Sequence, residues 1–217
     1  MTSLASPRIV PLVLPPLTRA DDYDLDEGPV WEDLDFTGLD CSGRDLTDAV
    51  FTGCDLTAVT WEDTALRGVT ITDCRAERLS VTTLRAASSH WRRSVLSGTR
   101  IGAAELHGGE WDQCVVSGCK VGYLNLRAAS LTDVVFEGCV FDDLDVMEAS
   151  LTRVEFRDCR AGMVTARGAT FADTSLVGLD FAGIDDPSAL AGALVSHEQV
   201  FELAPVFAAR AGLIVED

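Results

Sequence analysis

The sequence predicts an all-β solenoid, and three observations carry that reading. Starting at Trp31 and stepping by five residues, every position through Phe181 is apolar, an unbroken run of 31. In a chain that is 47% hydrophobic, such a run has a chance probability on the order of 10⁻¹⁰, so the period is structural. The position two before each of these is mostly small or aliphatic, as at Val134, Cys139, Ala149, Val154, Cys159 and Ala169. The position two after is glycine in 11 of the 31 units, among them Gly38, Gly43, Gly53, Gly98, Gly118, Gly138, Gly168 and Gly178. Glycine suits a tight corner that needs positive φ.

Neither regular element keeps a fivefold register. Five residues of α-helix rotate a side chain roughly 140° past a full turn, and in a flat strand an odd step moves it to the opposite face. A coil that turns a corner every five residues satisfies both inward positions, with stacked coils pairing their backbones about 4.8 Å apart.

In chain order, residues 1–30 carry prolines and the acidic run "DDYDLDE". They read as a partly ordered arm covering the first coil. Residues 31–183 hold the repeat. Stepping by twenty from Trp31 passes through Phe51, Ile71, Trp91, Trp111, Leu131, Leu151 and Phe171, a column of stacked apolar rings and chains. Leu84, Leu124 and Leu144 fill a slot that is usually small, and Arg44 occupies a nominally inward one.

Residues 184–217 leave the period and read as helical. Asp186 caps with Pro187 at the first helical position, Ser196 and Gln199 form a capping box, and Gly212 stops the second helix. Pro205 predicts a kink or break near Ala204, and Leu213–Val215 suggest a short strand. A cap or a dimerisation segment both fit, since Val200, Phe201, Leu203, Val206 and Phe207 are more apolar surface than a small cap needs.

Units such as "LDFTG", "CDLTA", "ASLTD" and "ATFAD" resemble the A(D/N)LXX unit of the pentapeptide repeat family, over residues 31–183. The resemblance implies a right-handed quadrilateral β-helix, four units to a coil. About eight coils and a rod roughly 37 Å long follow, with a C-terminal helical cap. It also implies a member of the quinolone-resistance, topoisomerase-protecting DNA-mimic type, in which a C-terminal module joins two rods end to end. No unit is interrupted here, so the loops that matter for activity in some of those members are not expected.

The seven cysteines follow the repeat and never form CxxC, so they read as buried core thiols and not as disulfides or a metal site. His90, His107 and His197 lie far apart. No nucleophile elbow, P-loop, dinucleotide fingerprint or HExxH is present, so neither an enzyme nor a cofactor is expected. No apolar stretch approaches the roughly 20 residues of a membrane span. The expectation is a cytoplasmic chain without membrane contact.

Net charge is −18, which argues against direct nucleic-acid binding, because phosphate neutralisation needs a basic surface. The charge is banded: −8 over residues 31–63, +5 over 64–100, −7 over 101–150 and 0 over 151–183. If the rod is a DNA mimic for DNA gyrase or another type II topoisomerase, a role tied to antibiotic resistance, the contact falls on Glu105, Glu110, Asp112, Asp133, Glu137, Asp142, Asp143, Asp145 and Glu148. The basic band at Arg75, Arg78, Arg85, Arg92, Arg93 and Arg100 opposes that reading. The alternative is a protein-binding scaffold or regulatory module with an unknown partner.

Overall fold

The computed structural model describes residues 4–214. The chain winds into a parallel β-solenoid of about eight coils, and every strand pair between coils has a register offset of twenty residues, as in Trp111↔Leu131 and Lys120↔Val140. One sheet runs from Thr83–Arg85 through Arg100–Glu105, Lys120–Asn125, Val140–Asp145 and Cys159–Thr165 to Leu179–Ile184. A second, larger sheet covers the remaining faces.

The fivefold positions point inward as the spacing predicts. All are buried except Phe171 and Phe181 in the last coil, which are half-buried. Rings stack along the axis: Trp91 on Trp111 at 5.0 Å and 10°, Phe136 on Phe156 at 4.9 Å and 9°. All seven cysteines are buried and free.

Corners occur at residues whose numbers end in 3 or 8. Glycine takes the left-handed conformation at Gly38, Gly53, Gly98 and others, but Asp33, Arg93, Gln113, Asp133 and Arg153 adopt it too, with φ between 46° and 55°. The surrounding coils therefore impose this backbone even where the residue resists it. Gly178 departs from the expectation and has no positive φ. From Thr83 onward one corner of each coil is also not left-handed, and the strands Arg100–Glu105, Lys120–Asn125 and Val140–Asp145 pass through it unbroken. Leu124 and Leu144 lie in these strands and Leu84 in Thr83–Arg85, all three buried.

In the early coils an aspartate opens four of the units and accepts the amide two residues on. Asp35 takes Thr37 N at 2.9 Å, Asp40 takes Ser42 N at 2.9 Å, Asp45 takes Thr47 N at 3.0 Å and Asp55 takes Thr57 N at 3.0 Å. This is the Asx turn, and it gives the aspartate of the repeat unit its local purpose.

Both ends are closed. Helix α1 (Asp22–Glu27) starts from a capping box at Asp21 and Asp24, inside the acidic run that the sequence placed in a partly ordered arm. It lies over the open first coil: Trp31 Nε1 donates to Asp24 O at 2.7 Å, and Arg44 reaches Asp26 at 2.7 Å. Arg44 thus occupies its inward-register slot only where the stack ends and an anion of the cap meets it.

At the other end Pro187–Leu190 form a 3₁₀ turn capped by Asp186, followed by helix α2 (His197–Arg210). Gln199 is buried and donates through Nε2 to Leu176 O and Leu179 O, both at 2.8 Å, covering the last coil. Helix α2 continues through Pro205 without the expected break, and Leu213 and Ile214 join no strand, while Val215 lies outside the described residues.

The arm departs most from expectation. It does reach the first coil, where β1 (Thr18–Arg19) pairs with Leu34–Asp35. Beyond that it runs the whole length of the rod, with Arg8 N donating to Asp133 at 2.9 Å and Ala5 N to Asp173 at 3.2 Å. Two coil steps are about 9.6 Å and three extended residues reach about 10 Å, so the arm is drawn straight along one corner.

Candidate partner-binding surfaces

The nine acidic residues singled out from the sequence do not gather on one face. Glu105 and Asp145 share one column of the rod, and the others are distributed around it. Two are not available for contact. Asp145 is 3% exposed, accepting Tyr123 OH at 3.0 Å, Arg127 Nε at 2.6 Å and Met147 N at 3.0 Å. Asp133 is 5% exposed, held by Arg153 through Nε at 2.6 Å and Nη2 at 2.8 Å, with the Arg8 amide above. The Arg153 guanidinium holds the Asp133 carboxyl below its ordinary range. A strand alternation cannot show this, because both side chains point outward and are covered by neighbours distant in sequence.

Asp112 pairs with Arg92 at 3.4 Å and Glu110 with His90 at 3.4 Å. Glu105, Glu137, Asp142, Asp143 and Glu148 have no cation within 4 Å among the described residues, and all but the half-buried Glu105 are exposed.

The basic band is largely cancelled where it stands. Arg75 lies 3.2 Å from Asp55, Arg78 3.3 Å from Glu77, Arg85 3.3 Å from Asp63 and Arg93 beside Asp73, with Arg92 on Asp112. Most of these pairs are twenty residues apart, one coil above the other. The stack sets Arg75, Arg85 and Arg92 of the +5 band against Asp55, Asp63 and Asp112 of its neighbours, whereas Asp73 and Glu77 are acids of the band itself. Arg67, Arg100 and Lys120 are without a carboxylate partner among the described residues. Arg100 and Lys120, with Arg78, Glu62 and Asp142, rim an open groove floored by Gly102 and Gly122.

In the C-terminal set, Leu203 is 5% exposed and packs into the rod's own core. Val200, Phe201, Val206 and Phe207 stay exposed, Phe201 at 78%. Burial pushes the Cys114 thiol up to about 12 and Cys41 up to about 11, so neither is a ready thiolate. Among the described residues no three His, Cys, Asp or Glu side chains gather as a metal site, and no helix is long and apolar enough to cross a membrane.

The pentapeptide repeats family model matches residues 35–75 in eight copies. The same register continues without a gap to Phe181. Residues 35–75 are thus pentapeptide repeats. No curated protein matches it. Among solved structures it is similar to trypsin-treated QnrB1, a plasmid-mediated fluoroquinolone resistance protein, at 17% identity, covering 87% of this chain and 92% of that one, with a TM-score of 0.36. Full-length QnrB1 gives 16% identity, 85% and 90% coverage and 0.34. HetL from Nostoc sp. strain PCC 7120, a pentapeptide repeat protein involved in heterocyst differentiation regulation, gives 14%, 80%, 94% and 0.33. At these identities and scores the likenesses carry no functional weight.

Proposed function

We propose that this pentapeptide-repeat rod is a non-enzymatic, cytoplasmic DNA mimic that binds a type II topoisomerase such as gyrase and protects or inhibits it. The observation that supports this reading is the inter-coil pairing of the basic band, which removes the main electrostatic objection and leaves Glu137, Asp142, Asp143 and Glu148 exposed without cations. The mimicry is of shape and sign more than of density. Duplex DNA carries one charge per about 1.7 Å, hence about 22 over a 37 Å rod, whereas the four bands of residues 31–183 leave −10. Binding then falls with salt, though less steeply than for DNA itself.

The exposed Val200, Phe201, Val206 and Phe207 on α2 favour a two-fold pairing of rods through their C-termini. That places the acids of residues 137–148 toward the centre of the dimer, separated by the near-neutral coils of residues 151–183.

The test is a gyrase supercoiling and pull-down assay at low salt. Asp142→Lys with Asp143→Lys should abolish binding, while Arg100→Glu should leave it unchanged or stronger. Asp145 is unsuitable for reversal, since a lysine there would break the bonds that the buried Asp145 makes with Arg127 and Tyr123. Light scattering of the chain ending at residue 195 should give half the mass of the full chain. Absence of any gyrase effect or binding would leave the protein-scaffold reading, with its partner to be sought by other means.

A further inference from the structure

The outward position at residue numbers 35, 55, 75 and so on is charged or polar in most coils: Asp35, Asp55, Arg75, Glu155, Ser175. In three successive coils it becomes Val95, Val115 and Val135. These valines lie in register with one another, and an apolar strip on the outside of a solenoid needs a cover. Val135 is 2% exposed although it sits apart from the interior core, and Val95 and Val115 are half-buried.

The N-terminal arm supplies the cover, since its Arg8 amide is bonded to Asp133, two positions from Val135. Leu4, Pro7, Ile9, Leu12, Leu14 and Leu17 are half-buried, and the residues between them are mostly exposed, so one side of the extended arm faces the rod. Among the described residues of 4–20, its backbone joins the rod's backbone only near β1, through Thr18 N to Asp33 O and Ala20 N to Asp35 O. Farther out, the described polar links are the two amides on Asp133 and Asp173. The attachment is therefore firm at one end and made of side-chain packing along the rest.

We propose that this corner strip is a peptide-docking site, occupied in cis by the arm, that takes in trans an extended, proline-spaced aliphatic segment bearing a cation from a partner protein. The occupant's chemistry is read from the segment already seated there. Residues 4–20 contain Pro7, Pro11, Pro15 and Pro16, and carry Arg8 and Arg19 with no acid, against a net-acidic rod. Prolines hold such a segment extended when it is free, so docking orders little that was not already ordered. The carboxylates of Asp133 and Asp173 accept main-chain amides, which any peptide with an N–H at those points can offer. This recognises conformation, aliphatic spacing and charge more than sequence.

The experiment uses a fluorescent peptide of residues 4–19 and the chain lacking residues 2–17, which keeps β1. Saturable one-to-one binding to the truncated rod is expected, with binding to the intact chain about tenfold weaker or more because the tethered arm competes at high effective concentration. Val135→Lys in the truncated rod should weaken peptide binding by a similar factor. Absence of binding to a folded truncated rod, equal binding to both chains, or indifference to Val135→Lys would overturn the proposal. If circular dichroism shows the truncated rod unfolded, the intact chain carrying Leu12→Asp and Leu14→Asp replaces it, and it should bind the peptide more tightly than the unmodified chain does. Loss of folding in both variants would make the arm an integral part of the rod and would equally overturn the proposal.

Discussion

Between Phe36 and Thr70 the chain turns through tight bends joined mainly by isolated bridges, such as Asp35↔Asp55, Asp40↔Thr60 and Asp45↔Ala65. From Arg100 onward, strands of six to eight residues run past the corners, as in Glu110–Ser117, Ser130–Glu137 and Ser150–Arg157. The two regions share one period and close their coils differently. In the first, an aspartate fixes four of the turns locally through the amide two residues on. In the second, such aspartates are rarer, and β-branched residues with stacked rings hold one coil to the next. A five-residue repeat therefore specifies where side chains point, while the residue at the start of each unit decides whether the corner is held by the chain itself or by its neighbours.

The largest effect should come from breaking the second device. Phe136 is 2% exposed, stacked on Phe156 and edge-on to Phe141 at 6.0 Å. Phe136→Ala should cost about 3–5 kcal/mol through the cavity it leaves, read as a drop in the urea midpoint. A solenoid couples each coil mainly to its neighbours, so hydrogen exchange should quicken first around residues 110–165 and leave the early coils protected. A uniform loss of protection would mean that the two regions unfold as one unit.

A smaller effect is expected from the outer ladder. Asp133→Ala strips Arg153 of both hydrogen bonds and frees the Arg8 amide, costing about 1–3 kcal/mol. Asp55→Ala, its counterpart among the early coils, loses the Thr57 turn bond and the Arg75 pair, about 1 kcal/mol in all. Comparing their urea midpoints sharpens the distinction, and an equal cost would show that the arm adds nothing to the Asp133 site.

How much of this could be read beforehand follows from the range of each interaction. The inward register, the stacked column and the caps at Asp186 and Ser196 are set by residues near in sequence or related by the period, and they were legible. The pairing of Arg93 with Asp73 is also periodic and could have been found by reading outward positions at steps of twenty, as was done for the inward ones. The burial of Asp145 needed Arg127 and Tyr123 to converge from the preceding coil. The path of the arm depended on contacts up to 168 residues apart. Its one sequence signal was the switch from charge to valine at residues 95, 115 and 135, which marked an outer strip needing a cover. Helix α1 was hidden because its six residues "DYDLDE" read as solvated charge, although Asp21 and Asp24 form a capping box that three-residue spacing could have disclosed.

The smallest expected effect is a difference in how the two regions meet acid. Asp35, Asp40 and Asp45 have their carboxyls held below the ordinary range by the side chains of Thr37, Ser42 and Thr47, with the amides of the same residues adding to the effect and burial opposing it. A carboxyl depressed in the folded chain contributes stability that is fully present above its unfolded value, near 3.8, and is lost as pH falls through its folded value. In the later coils Asp133 is depressed by Arg153 in the same direction, but the stacked rings beside it do not titrate. Lowering pH from about 5 toward 2 should therefore release the early coils first, because their turns rest on ionised carboxylates that protonation neutralises. Hydrogen exchange followed by mass spectrometry should show amides over residues 36–64 losing protection while those over residues 111–164 keep theirs. Simultaneous loss in both regions would mean that the Asx turns do not set the early coils apart, and that the ring stacks govern the whole rod.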